Sequence, residues 1–235
     1  MEELQDFRGY LEHDSRAKHV RLHDPNKYDY IEKPKGTGYR GVHYVYGYTP
    51  SSAKNEPYRG LKVEVQLRTN TQHAWATAVE IADLVLGART KFEDGSGPYG
   101  RFFRLASEVL ARTSEGKNSC LPHLTNRDLR DQFRAEERDL QLLDRLGKLR
   151  EQENLDNIKQ HTVLSFRSDD TLEIFGYVDA FRAVKKEEEL LDDDECDHVV
   201  YVRASTPASI RNSYRNYLTN PADFVNLMRE GVASL

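Results

Sequence analysis

Two stretches decide the interpretation of this chain, namely DYIEKPKGTGYRG at Asp29–Gly41 and VEVQLRT at Val63–Thr69. The second has the composition of a β-strand, and side chains of a strand alternate between its two faces. Glu64, Gln66 and Arg68 therefore share one face, while apolar residues take the other. We expect the apolar face to be core and the polar face to carry chemistry. Taken alone, the same alternation also fits an ordinary solvated strand.

The first stretch predicts an anion-binding loop. Lys33 and Lys35 flank Pro34 and are followed by Gly36 and Gly38. Glycine lets the backbone approach a ligand closely or take positive φ, and lysine supplies a point charge. A polyphosphate site needs both features, because exposed backbone N–H groups add donors to the cations. A surface turn with two incidental lysines is the alternative.

Two blocks, Tyr30–His43 and Glu64–Ala76, resemble the synthetase domain of the RelA/SpoT family. The matching residues are Tyr30, Ile31, Pro34, Lys35, Gly38, Tyr39, Arg40, Gly41 and His43, then Glu64, Gln66, Arg68, Thr69, His73, Trp75 and Ala76. The resemblance implies transfer of pyrophosphate from ATP to the ribose 3′-hydroxyl of GDP or GTP, which makes (p)ppGpp in the stringent response. It also implies an α+β fold, with a mixed β-sheet flanked by helices and a small C-terminal α+β appendage.

The resemblance assigns roles to individual residues. Glu64 would be the catalytic carboxylate, acting as ligand of Mg²⁺, as general base toward the 3′-hydroxyl, or as both. Lys35 would hold the phosphates of the acceptor, and Tyr39 would stack on its guanine, although a core aromatic is the alternative for Tyr39. The other positions that would bind substrate are Lys33, Arg40, His43, Gln66, Arg68 and His73. Helical spacing, and not the resemblance, puts Glu80 on the same face as His73 and Thr77, so Glu80 would be a second acid in the site or an exposed helix carboxylate.

The chain departs from the family pattern upstream of these blocks. The family carries an Asp-x-x-Gly-x-Arg block and the arginines that hold the ATP adenine before this region, and nothing before Asp29 corresponds to them. We therefore expect the ATP-binding part to be missing from the sequence. This gap keeps two other functions open, namely transfer of pyrophosphate to the 3′ end of tRNA, as in toxin-type relatives, and a catalytically silent module that binds guanine nucleotides.

Composition is that of a polar globular protein. The 235 residues are 38% hydrophobic and 31% charged, with a formal net charge of −5 that argues against nucleic-acid binding by bulk charge. Two cysteines without metal-ligand spacing predict neither a disulfide framework nor a zinc site. The sequence contains no apolar run of transmembrane length and no signal-peptide pattern, so we expect a cytoplasmic protein without membrane contact.

The pattern of the remaining chain predicts two parts. Residues 1–115 would form the synthetase-like domain, and 116–235 a long helix with a small α+β accessory region. In the accessory region we expect a hairpin around Ser168, a helix over Ala180–Leu191, a strand over His198–Arg203 and a last helix closed by Gly231. The further predicted elements are a helix over Glu2–Leu11, strands over Val42–Tyr48 and Leu61–Leu67, and a helix from Thr69 to Leu86.

The long helix is predicted over Arg127–Asn154. Its leucines and Phe133 form a narrow apolar stripe within a charged sequence. Such a stripe packs either within the chain or against a second copy, which would make the protein a homo-oligomer. The basic residues of this helix could also contact RNA phosphates, although they alternate with acids.

Overall fold

The computed structural model describes residues 2–13, 19–85, 96–148, 157–169, 171–209 and 221–235. Its helices are α1 (Glu2–His13), α2 (Asn70–Val85), α3 (Pro98–Glu115), α4 (Asn126–Leu140), α5 (Leu142–Lys148), α6 (Ala180–Leu191) and α7 (Ala222–Ser234). Its strands are β1 (Val20–Arg21), β2 (Val42–Gly47), β3 (Lys62–Leu67), β4 (His161–Arg167), β5 (Leu172–Tyr177) and β6 (Cys196–Arg203). Short 3₁₀ helices cover Pro25–Tyr28 and Ala53–Tyr58.

The first sheet is antiparallel, with the order β1-β2-β3. The register pairs His43 with Gln66 and Val45 with Glu64, so these four side chains share one face. The opposite face is covered by α1, whose Leu4 packs against the buried side chains of this small core. Its buried members are Ile31, Val42 and Tyr44. Because α1 takes one face, the face with His43 and Glu64 is left for other contacts.

The second sheet is also antiparallel and has the order β5-β4-β6. Alternation along β4 divides its side chains between two layers. Leu164 and Phe166 join the main hydrophobic core, whereas Val163 packs under α6 with Ala183 and Leu190. This sheet therefore lies between α6 and the rest of the molecule.

Helix α3 runs through the main core. Its buried Phe102 contacts Phe133 of α4, with ring centroids 5.0 Å apart, and Phe103 contacts Phe224 of α7 at 5.9 Å. The same core includes buried residues of α2, such as Trp75. One hydrophobic core thus extends on both sides of the predicted boundary at 115/116, which stays a prediction.

The predicted α+β class is confirmed, and the strands form two antiparallel sheets in place of one mixed sheet. The C-terminal strands do not extend the first sheet, because they pair with one another. The hairpin around Ser168 and the helix Ala180–Leu191 are confirmed.

The prediction of one long helix is wrong. Gln141 takes a left-handed conformation with φ 50° and separates α4 from α5. The Glu137 carboxylate accepts a hydrogen bond from the Leu143 backbone N–H and so caps the start of α5. Leu129 and Phe133 are buried within the chain. These apolar side chains of α4 therefore pack within the chain.

The predicted end of the last helix at Gly231 is also wrong, because α7 continues to Ser234. Gly231 lies against α3, where an added Cβ would be 2.9 Å from Thr113 Oγ1 and 3.0 Å from a Val109 methyl group. This glycine allows two helices to approach closely and does not end one of them. Within the described ranges, no helix is both long and apolar enough to cross a membrane.

Candidate functional site

The loop over residues 29–41, which we call the basic loop, packs against α3. Gly38 has φ +93°, and a Cβ at this position would lie 2.9 Å from the Ser107 Cβ. The Ser107 hydroxyl donates a 2.6 Å hydrogen bond to the Gly38 carbonyl. Within the loop, the Gly38 N–H donates to the Lys35 carbonyl at 2.8 Å and closes a turn. Glycine is required at position 38 because the loop backbone touches the helix there.

The start of the loop is anchored by a buried carboxylate. Asp29 Oδ1 accepts hydrogen bonds from the N–H groups of Ile31 and Glu32, both at 3.1 Å. Its other oxygen binds Arg8 of α1 at 2.5 Å. These contacts fix the direction in which the chain enters the basic loop and tie α1 to it.

Glu64 lies on the polar face of β3, where 47% of its side chain is exposed. Gln66 Nε2 donates a 2.8 Å hydrogen bond to Glu64 Oε2, and His43 Nδ1 lies 2.7 Å from Oε1. These contacts lower the pKa of Glu64, chiefly through the Gln66 hydrogen bond. Glu64 is therefore an ionised carboxylate at neutral pH with an open side toward solvent.

Tyr39 connects to this carboxylate through His43. The Tyr39 hydroxyl lies 2.5 Å from His43 Nε2, and it accepts hydrogen bonds from Arg68 Nε at 3.1 Å and from a terminal Arg68 nitrogen at 3.0 Å. A hydroxyl that accepts two hydrogen bonds has its own hydrogen left to donate. Tyr39 therefore donates to Nε2, and His43 carries its hydrogen on Nδ1 and donates to Glu64.

Burial around His43 and Tyr39 agrees with these proton positions. It lowers the pKa of His43 despite the attraction of the Glu64 charge, so the imidazole is neutral near pH 7. Burial also raises the pKa of Tyr39, although the Arg68 hydrogen bond opposes the shift. The result is a directed chain of neutral donors that ends on one carboxylate.

We call Tyr39, His43, Glu64, Gln66 and Arg68 the Glu64 cluster. Gln66 links its two charged ends, because its carbonyl accepts from Arg68 at 2.7 Å while its amide nitrogen donates to Glu64. The amide thus lies between the cation and the carboxylate. Arg68 also lies over the Tyr39 ring, with its Cζ 5.1 Å from the ring centroid.

Tyr39, His43, Gln66 and Arg68 line a cavity of about 370 Å³ between the first sheet and helices α2 and α3, while Glu64 lies outside the described lining set and reaches it through His43 and Gln66. We call this cavity the Tyr39 cavity. Lys35 reaches it with its Nζ 5.2 Å from the Tyr39 centroid and 4.4 Å from the Tyr30 centroid. The described lining residues are Lys35, Thr37, Tyr39, His43, Gln66, Arg68, Trp75, Ala76, Val79, Glu80, Gly100 and Phe103.

Three of the residues predicted to bind substrate lie elsewhere. Lys33 is exposed beside the loop, and His73 is exposed on the first turn of α2, outside the described lining set. Arg40 is 3% exposed and pairs with Glu115 of α3. The two neighbouring side chains point to different sides of the loop, so Tyr39 lines the cavity while Arg40 is buried in the interior.

Arg40 belongs to a second polar group, which we call the Glu115 cluster. The Glu115 carboxylate also accepts hydrogen bonds from the Thr69 hydroxyl at 2.6 Å and from Gln72 Nε2 at 3.1 Å. Thr69 and Gln72 form a capping box at the start of α2, since each side chain accepts from the backbone N–H of the other. This cluster joins the loop, the start of α2 and the end of α3.

Two aromatic residues that contact Tyr39 are not among the predicted ligands, and of these Trp75 lines the cavity while Tyr30 lies outside the described lining set. Tyr30 makes edge-on ring contacts with Tyr39 at 5.8 Å and with His43 at 5.4 Å, yet lies nine positions before Tyr39 in an irregular loop. Trp75 was expected only to pack. Its ring contacts Tyr39 at 6.4 Å, and its Nε1 donates to the Phe103 carbonyl at 2.8 Å. No periodic pattern identifies such contacts, although aromatic content near the basic loop was a signal.

The residues present fit a Mg²⁺ ion that is shared with a nucleotide. Within the described ranges no group of three or more His, Cys, Asp or Glu residues could hold a metal by itself. Glu64 offers one ionised and half-exposed carboxylate. Mg²⁺ at nucleotide sites is bound by one or two carboxylates together with phosphate oxygens, so a single carboxylate suffices when substrate is bound.

Residues 2–83 match the family model described as "Region found in RelA / SpoT proteins". The match covers α1, the first sheet, the basic loop and most of α2, which together contain the whole Glu64 cluster. No curated protein matches the chain.

Proposed function

We propose, from the match of residues 2–83 to the RelA/SpoT family model, that the chain transfers pyrophosphate from ATP to the 3′-hydroxyl of GDP or GTP and releases AMP. The observation that carries the proposal is the hydrogen-bonded chain that starts at Tyr39 and His43 in the wall of one cavity and ends on Glu64 beside it. It supplies an aromatic ring, cations and an ionised carboxylate within the reach of one nucleotide.

In this proposal Glu64 acts on the acceptor hydroxyl. Its lowered pKa keeps it ionised, and its exposed side can accept the proton of a 3′-hydroxyl. His43 and Gln66 hold the carboxylate in one orientation, since each binds a different oxygen. A positioned general base contributes about 10²–10⁴-fold to the rate.

Lys35 and Arg68 neutralise phosphate charge. Both cations lie over aromatic rings, and among the described residues neither forms an ion pair with a carboxylate, so their charge is available to phosphates. Phosphoryl-type transfer depends mainly on positioning and charge neutralisation, which these groups provide. Mg²⁺ held by Glu64 together with substrate phosphates would add further stabilisation of negative charge.

The test is an acceptor panel with ATP labelled in its β-phosphate. The purified chain is incubated with the labelled ATP, Mg²⁺ and, separately, GDP, GTP, ADP or deacylated tRNA. We expect label on GDP or GTP and not on ADP. Transfer to tRNA alone would move the activity to an RNA acceptor. Binding of GDP without any transfer would contradict the enzymatic proposal and favour a silent nucleotide-binding module.

A further inference from the structure

Helix α6 carries apolar side chains on two of its sides. Ala183 and Leu190 face inward, where they are buried with Val163 of β4. On the outer side, Phe181 is 76% exposed and Leu191 is 67% exposed. A surface helix needs only one apolar side for the fold of its own chain, because the opposite side contacts water. The fold of this chain therefore does not explain the outer apolar side of α6.

The outer residues form a stripe along the helix. Phe181, Val184, Glu188 and Leu191 follow one another at steps of three, four and three positions. This is the spacing with which one helix packs against another. Val184 is also exposed, at 38%. Single exposed apolar residues are normal on a protein surface, whereas a stripe from the first turn of a helix to its last residue indicates a contact surface. We call these four residues the outer stripe.

The charged residues of α6 are separated by sign. The first half of the helix contains Arg182, Lys185 and Lys186, and the second half contains Glu187–Glu189. The helix dipole favours the reverse order, with acids in the first turn and bases in the last, and α6 has neither. The order of charges is thus unfavourable for this helix by itself.

Most of these charges are not used within the described part of the chain. Lys186 pairs with Glu189 at 3.5 Å. Arg182, Lys185 and Glu188 are exposed, and none of them forms an ion pair with a described residue. The outer stripe therefore has unpaired cations beside its first half and an unpaired acid in its second half.

We infer that α6 docks against α6 of a second copy of this chain, with the two helices antiparallel. In this orientation the basic half of each helix meets the acidic half of the other, whereas a parallel pair would bring like charges together. Phe181 then lies opposite Leu191 of the partner subunit. Both copies use the same surface, as two-fold symmetry requires. A basic peptide or an acidic peptide would match only one half of α6.

The inferred interface is separate from the candidate site and from α4. The second sheet lies between α6 and the main core, and no residue of α6 belongs to the described lining set of the Tyr39 cavity. One pair of short helices gives an interface at the low end of specific contacts, below about 1,200 Å² in total. We therefore expect a dimer that forms as the concentration rises and that leaves both cavities accessible.

Two charge variants and their mixture test the antiparallel contact. The first variant replaces Arg182 and Lys185 by Glu, and the second replaces Glu187 and Glu188 by Lys. Each variant helix then carries mostly one sign of charge, so each variant alone should dimerise with a dissociation constant at least about tenfold above that of the natural chain. An equimolar mixture should restore a mixed dimer, because an acidic α6 then meets a basic one.

The apolar part of the contact is tested by Phe181→Ser, which should also raise the dissociation constant at least about tenfold. Tyr58→Ser is the matched control, because it removes an aromatic side chain that is 53% exposed and lies outside α6. Sedimentation velocity of the full chain over a concentration series measures the association. Circular dichroism of each variant verifies that the helices are retained.

The inference is supported if the natural chain and Tyr58→Ser dimerise, Phe181→Ser and each charge variant associate more weakly, and the mixture of charge variants recovers the dimer. A natural chain that stays monomeric throughout the series would overturn it, as would a dimer that Phe181→Ser leaves unchanged. Charge variants that dimerise as well as the natural chain, or that do not recover on mixing, would overturn the antiparallel pairing.

Discussion

The Glu64 cluster and the Glu115 cluster are built from neighbouring residues of the same two segments. Tyr39 and Arg68 belong to the first cluster, and the next residues, Arg40 and Thr69, belong to the second. The carboxylate of Glu64 is 47% exposed and that of Glu115 is 3% exposed. The two clusters contain similar residue types, so residue type alone does not distinguish a reactive polar cluster from a structural one. Burial and the direction of the chain distinguish them.

Among the variants of the Glu115 cluster, Arg40→Met should cause the largest loss of stability. It leaves the buried Glu115 carboxylate without its cation, and removal of one partner of a buried ion pair lowers the free energy of unfolding by about 3–5 kcal/mol. Chemical denaturation measures the change. Arg59→Met, which removes an exposed pair with Glu56, is the control and should leave stability unchanged within error. If both variants unfolded alike, the Glu115 cluster would not be a structural anchor.

Tyr39 tests the other cluster. Tyr39→Ala should weaken the acceptor nucleotide by about 1–3 kcal/mol if the ring stacks on a base. Tyr39→Phe keeps the ring and removes only the hydroxyl between Arg68 and His43, so we expect it to retain most of the affinity and to lower the transfer rate. Calorimetry and a transfer assay separate the two effects. Unchanged affinity in Tyr39→Ala would show that the ring serves only packing.

The loop that carries both clusters offers a matched pair of glycines. Gly38→Ala should lower stability by about 1–3 kcal/mol, because the new Cβ meets Ser107 and φ is positive. Gly36→Ala meets nothing within 4 Å and should have little effect. Thermal unfolding and GDP affinity report the outcome. Equal loss in the two variants would contradict the contact between the loop and α3.

Glu137 shows what burial does to a carboxylate that is held mainly by a backbone N–H. Burial raises its pKa, so the folded state resists ionisation and the contribution of this group to stability is lost as pH rises through the raised pKa. Glu137→Gln should therefore raise the Tm near pH 7, because the amide carries no charge to desolvate. The gain should vanish below about pH 3, where the carboxyl is protonated in both states. A gain independent of pH would contradict this account.

Local sequence predicted much of this molecule. The helix Ala180–Leu191 and the hairpin around Ser168 followed from apolar spacing and turn residues, and both are confirmed. The break between α4 and α5 at Gln141 was not predicted, because a left-handed residue other than glycine has no local sequence signal. The hydrogen bond between the Leu143 N–H and the Glu137 carboxylate at this break has no such signal either. The role of Gly231 as a helix contact likewise depends on α3, which is distant in sequence.

The sequence also predicted part of the candidate site. Period-two alternation placed Glu64, Gln66 and Arg68 on one face, and the structure joins them by hydrogen bonds. Alternation did not place Arg40 inside the protein, because the loop has no regular period and its partner Glu115 is 75 positions away. The contact of Tyr30 with Tyr39 depends on how the loop folds back on α3.

The most direct test of the account is Glu64→Gln, assayed for transfer of labelled pyrophosphate from ATP to GDP beside calorimetric binding of GDP. We expect the transfer rate to fall by about 10²–10⁴-fold while the affinity for GDP and the unfolding free energy stay near those of the natural chain. Glu56→Gln is the control, because it removes an exposed acid outside the Glu64 cluster, and this variant should transfer at the natural rate. A Glu64→Gln variant that transfers as fast as the natural chain would contradict the claim that this carboxylate performs the chemistry.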